Sequence, residues 1–146
     1  MIQRIQTVFL LLAIVALALF LYFPLIQLVG TNFTEDYHGI DVTYFYEGYI
    51  IFLNLILAGI AAGVTLLNIF FFKKRNIQQW LCWVAVLFIA AAAGFVYYRY
   101  QTKVFVGDVV YTWWNVCALA AALFEILAFV YIRKDEELVK SLDRLR

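Results

Sequence analysis

One carboxylic acid, Glu125, stands inside an apolar run long enough to cross a bilayer. A charged side chain at such depth costs about 2.5–3.5 kcal/mol on insertion scales, so acids placed there face protein or water and pair with polar neighbours. Depth names the candidate partners. At ~1.5 Å per residue, Glu125 lies roughly 10 Å inside the basic end of its helix. Thr65 and Asn68, on a helix running the opposite way, and Trp83 on the helix between them fall near the same layer. A neutral or proton-sharing Glu125, hydrogen-bonded to Thr65, Asn68 or the Trp83 indole, makes a polar strut. A proton relay, a ligand contact and a partner contact are the functional readings of the same four residues.

A second polar layer is expected near the opposite face. Asn54 and Asn115 each sit about a turn inside their helices, and Cys117 and the Phe20 carbonyl that Pro24 leaves without a helical partner belong to the same half. On one helix Asn54, Ala58, Ala61, Thr65 and Asn68 recur at a/d-type spacing, and on another Asn115, Ala118, Ala122 and Glu125 do. Matching faces of polar and small residues predict that these two helices pack on each other. Gly59 and Gly63 form a GxxxG element, and Ala90 with Gly94 a related pair, spacings that allow close backbone approach or self-association.

Other chemistry finds less support. Cys82 and Cys117 fall at depths roughly 10 Å or more apart, beyond the ~7 Å Cα separation a disulfide tolerates, so both are expected as free thiols. Asp36, His38 and Asp41 could be drawn as a metal site, but nothing in their loop pre-aims them, and no metal or other cofactor is expected. Asn32-Phe33-Thr34 is a weak glycosylation match. There is no HExxH, no GxSxG, no Ser–Lys arrangement and no His within a span, which leaves an enzyme as the least supported reading. A net charge of +1 lacks the basic footprint of nucleic-acid binding.

The elements that must position these residues are membrane helices. Of 146 residues 66% are hydrophobic, and mean hydropathy is +0.90. A soluble domain is nearer 45–50% apolar, so lipid is the expected solvent. Runs of about 20 apolar residues span a hydrocarbon core of roughly 30 Å. Such runs predict an all-α fold, a four-transmembrane-helix antiparallel bundle with spans near 7–29, 49–72, 79–98 and 111–132. Ala16, Leu17 and Ala18 resemble a signal-peptidase site, but the run continues to Val29, which favours an uncleaved helix. Pro24 predicts a kink or helix end. Residues 30–48 form an acidic, tyrosine-rich loop without Lys or Arg. Trp113, Trp114, Tyr97, Tyr98 and Tyr100 suit one aromatic belt and Trp80 the other.

Nine of the 11 Lys and Arg residues lie in the N-terminus, the 73–75 turn and the tail, against Arg99 and Lys103 opposite. That bias predicts both termini in the cytoplasm and the 30–48 loop in the periplasm. Residues 133–146 continue the fourth helix into water as an amphipathic tail, with Leu138, Leu142 and Leu145 on one stripe and Glu136 four residues before Lys140. The stripe suits the membrane surface, a partner, or a merely solvated face.

The opening MIQRIQTVFLLLA, Pro24 near the end of the first span and the closing IRKDEELVKSLDRLR together resemble a family of small four-helix membrane proteins from one phylum of Gram-negative bacteria, catalogued as domain of unknown function 4293. The resemblance covers essentially the whole chain and is most specific at its two ends. It implies an inner-membrane protein with four spans; it implies no activity and transfers no functional residue. The terminal match points to the tail, with Lys134, Asp135, Asp143 and Arg144, as a cytoplasmic contact surface. The reading carried forward is an accessory or interaction subunit of a membrane complex, its partners the lipid bilayer and a membrane protein or a second copy. The alternative is binding or transport of a lipid, quinone or proton through the layer around Glu125.

Overall fold

Pro24 decides where the first span stops. It has no N–H to continue the helix, and it pushes Phe23 out of the helical region. Helix α1 accordingly covers Ile2–Tyr22, and the Phe23 N–H still reaches the Leu19 carbonyl at 3.0 Å. Its 21 residues span ~30 Å, the thickness of a hydrocarbon core. The apolar run does not carry the helix on to Val29. Pro24–Val29 instead form strand β1, with proline at the first strand position, where its missing donor does least harm.

A computed structural model describes residues 2–29, 34–38, 53–72, 74–101 and 108–143. The remaining elements are β2 Thr34–His38, α2 Leu53–Phe70, α3 Arg75–Gln101, β3 Asp108–Tyr111, a 3-10 turn Trp113–Asn115 and α4 Val116–Asp143. All four α-helices are long and apolar enough to cross a membrane. The expected helix start at 49, most of the 30–48 loop, Asn32, Asp41, Lys73 and the last three residues of the tail lie outside the described residues.

The expected helices dominate the described residues, and a small sheet joins them. β1 is the centre of a three-stranded antiparallel sheet, flanked by β2 and β3, with Gln27 opposite Asp36 on one side and Val110 on the other. Leu25 and Ile26 of β1 are buried and join the helical core. The fourth helix therefore begins at Val116 rather than Tyr111, because Tyr111 belongs to β3. α3 is longer than expected at both ends, and α4 runs unbroken through Ile132 to Asp143.

Each helix packs on two neighbours: α1 on α4 and α2, α3 on α2 and α4. Gln6, early in α1, donates to the Tyr131 carbonyl at 3.3 Å, whereas Phe23, just after α1, stacks on Trp114 with ring centroids 3.8 Å apart. The two helices thus run in opposite directions. One end of the helices carries the sheet; the other, the turn end, carries Phe71 and Phe72. The core stripes repeat at alternating steps of three and four: Ala58, Ala61, Thr65, Asn68 on α2; Gln78, Cys82, Ala85, Ile89, Ala92, Val96 on α3; Ala118, Ala121, Glu125, Ala128, Ile132 on α4. That is the period of knobs-into-holes packing. The alanines on these stripes let the helices approach closely. The expected α2–α4 pairing is also corrected. These helices face each other diagonally across the core, and small residues at the centre let their polar side chains meet.

Candidate functional site

Glu125 is fully buried at the centre of the helices. Its Oε1 pairs with the hydroxyl of Thr65, which is itself 2.9 Å from the carbonyl of Ala61 one turn earlier in α2. The Cys82 thiol of α3 lies beside the same carboxyl. Cys82 in turn accepts the Asn68 side-chain amide at 3.1 Å. Asn68 and Gln78 then clasp each other: the Asn68 amide donates to the Gln78 carbonyl at 3.2 Å, and the Gln78 amide to the Asn68 carbonyl at 3.0 Å. The clasp gives the Asn68 carbonyl, which also accepts the Phe71 N–H at 3.2 Å, a second donor and fastens the end of α2 to the start of α3.

Two polar atoms of this cluster remain over. Glu125 Oε2 and Asn68 Oδ1 are buried and have no hydrogen-bond partner among the described residues. Both are acceptors. A buried acceptor left unmade costs ~1–3 kcal/mol, so the arrangement is one that a hydrogen donor would stabilise.

The cluster differs from the depth-based expectation in one member. Thr65, Asn68 and Glu125 converge, but Trp83 does not join them. It is 49% exposed, with its ring edge on Phe129 at 5.6 Å, in a shallow groove of about 450 Å³ with Gln79 and Trp80. The reason is angular. Cys82 faces the core, and the next residue of a helix is turned by about 100°. Cys82 and Gln78 are the members that sequence reasoning missed. Their signal was present: they begin the stripe of threes and fours that continues through Ala85, Ile89 and Ala92.

The other predicted residues lie elsewhere. Asn115 donates from its side-chain amide to the Leu25 carbonyl at 2.7 Å and the Thr112 carbonyl at 2.9 Å, tying β1 to the start of α4. Asn54 is buried near the same end of α2. Gly59, Gly63 and Gly94 are exposed, and a Cβ built on any of them would meet nothing within 4 Å. Among the described residues they meet no helix, so the close approach that their spacing allows is not made there. The imidazole of His38 sits 2.6 Å from the Tyr22 carbonyl. Among the described residues no three His, Cys, Asp or Glu side chains gather, and Asp41 lies outside them. Cys82 and Cys117 are free thiols.

The turn end holds a second, charged set. Arg75 pairs with Asp135 at 2.8 Å, and Gln79 donates to Glu136 at 2.5 Å, which also holds Lys140 at 2.5 Å. The charged extension of α4 is thus fastened to the first turn of α3. Leu138 is exposed; the side chains of Leu142 and Leu145 lie outside the described residues. A cleft of about 350 Å³ opens between α1, α2 and α3, lined by Gln6, Thr7, Val8, Leu10, Ile69, Phe72 and Gln78.

Four long apolar helices around a polar centre place the chain among helical proteins of membrane type. It belongs to the family described as Domain of unknown function (DUF4293), which residues 2–145 match. No curated protein and no solved structure matches it.

Proposed function

We propose that the chain is an inner-membrane accessory subunit: an antiparallel four-helix bundle spanning the bilayer, both ends in the cytoplasm, with α2 presenting a docking face to a partner helix. The charge bias toward the turn end supports the orientation. The outward glycines of α2 carry the docking reading. Glycine inside a helix costs about 0.5–1 kcal/mol relative to alanine, and no contact among the described residues offsets it, since the space beside Gly59 and Gly63 is open there. Against acyl chains a small residue gains nothing. Against a second helix it permits close backbone approach. Ile56, Ile60, Leu66 and Leu67 surround the glycines with exposed apolar surface. The partner is a membrane helix of another protein or of a second copy.

The test replaces Gly59 and Gly63 together by Leu and recovers the protein in mild detergent. Membrane level and melting behaviour are expected to stay within about 1 kcal/mol of the parent, while the co-purifying partner, identified by mass spectrometry, or the second copy is lost. Unchanged association in that variant removes the docking face from the reading.

A further inference from the structure

The buried cluster is short of hydrogens, and its shortage is of a definite kind. Asn68 spends its amide on Gln78 and Cys82, the Cys82 thiol has one hydrogen to offer the Glu125 carboxyl, and Thr65 has one hydroxyl hydrogen for two acceptors, Glu125 Oε1 and the Ala61 carbonyl. The atoms left over, Glu125 Oε2 and Asn68 Oδ1, are oxygen acceptors as well. A hydroxyl can accept while it donates. One hydrogen placed on the Glu125 carboxyl can therefore be donated to Thr65, whose own hydrogen then serves Ala61. In this cluster the carboxyl is the group able to take that hydrogen.

Access is one-sided. Gln78 lines the cleft at the turn end and clasps Asn68; Asn68 bonds Cys82; Cys82 adjoins Glu125. Leu10 of the cleft belongs to one buried group with Cys82, Ala128 and Ile132. Toward the sheet end the next positions on the core stripes are apolar, Ala58 and Ala61 on α2, Ile89 and Ala92 on α3, Ala118 and Ala121 on α4, and the buried Asn54 stands about three turns from Thr65. The side chains that meet Glu125 are Cys82 from α3, which can titrate, and Thr65 from α2, which does not.

We propose that Glu125 is a proton-binding site in exchange with the aqueous phase at the turn end alone, through the cleft lined by Gln6, Thr7, Ile69, Phe72 and Gln78. Binding forms one O–H bond on the carboxylate. The proton comes from hydronium in the cleft and returns there, so the site is a dead end and not a channel. It does not depend on which partner meets α2.

The full chain in lipid nanodiscs is moved into D2O, and the carboxyl C=O stretch is followed by infrared spectroscopy. The Glu125 band is the one that Glu125→Gln removes; should that variant not fold, Glu125→Asp displaces the band instead. In the parent protein the band is expected to shift promptly. In Gln78→Leu it is expected to shift about tenfold more slowly, the effect of a barrier raised by roughly 1.4 kcal/mol. A band that fails to shift over hours in the parent, or shifts equally fast in both proteins, overturns the proposal. So does the absence of any Glu125 band across the accessible pH range.

Discussion

The two polar layers of this molecule are built from similar residues and do different work. At the sheet end, the Asn115 amide serves the carbonyls of Leu25 and Thr112, where the chain enters and leaves helices. Those carbonyls also accept the N–H groups of Thr112 and Asn115 at 3.0 and 3.3 Å. At the turn end, polar side chains wrap a carboxyl in the centre of the core and leave two acceptors over. The first layer is a splice between backbone segments. The second is organised around a group that can change charge. Asparagine beside an apolar core therefore has no single meaning, and what its amide touches decides between splice and site.

That contrast can be broken or sharpened by substitution, beginning where the largest effect is expected. Thr65→Val keeps the shape but removes the hydroxyl between Glu125 and Ala61, leaving a fully buried carboxyl poorer by one partner. A loss of about 1–3 kcal/mol is expected in detergent unfolding. Adding Glu125→Leu should recover part of it, because removing both partners of a buried pair costs less than removing one. A double variant as unstable as the sum of its parts would count against the pairing.

Asn115→Leu should be milder, about 0.5–1 kcal/mol, since both carbonyls keep a backbone donor. A larger loss in the same unfolding assay would mean that the sheet end also depends on its side chains. The smallest effect is expected outside the core. Arg75→Met breaks the ion pair with Asp135, whose side chains are 22% and 14% exposed. The loss should be below about 1 kcal/mol and shrink further as salt is raised. If it does not shrink, the pair is less accessible to screening than its exposure suggests.

Particular residues show where sequence reading succeeds and where it fails. The period of α2 picks out Asn54, Ala58, Ala61, Thr65 and Asn68, and these are its buried residues. On α3 depth placed a partner at the level of Glu125, but the side chain there is Cys82, not its neighbour Trp83. Depth and a donating indole pointed to the tryptophan, whereas the helical stripe runs through the cysteine. The sheet was missed because β1 is apolar enough to prolong the first span, and its partner β3 lies far along the chain. Nothing local in residues 24–29 announces a pairing with residues 108–111.

Composition and linear spacing were enough to establish four apolar rods, the break at Pro24, the charge bias and one acid in an apolar run. These depend on neighbours along the chain, through helix rise and the cost of polar groups in hydrocarbon. Rotation about each rod and the choice of neighbours were beyond them. Gly59 and Gly63 face outward, Thr65 meets Glu125 across a diagonal, and Gln78 closes on Asn68. Such facts arise when four helices settle their mutual angles at once, and the packing of small residues at the centre sets those angles.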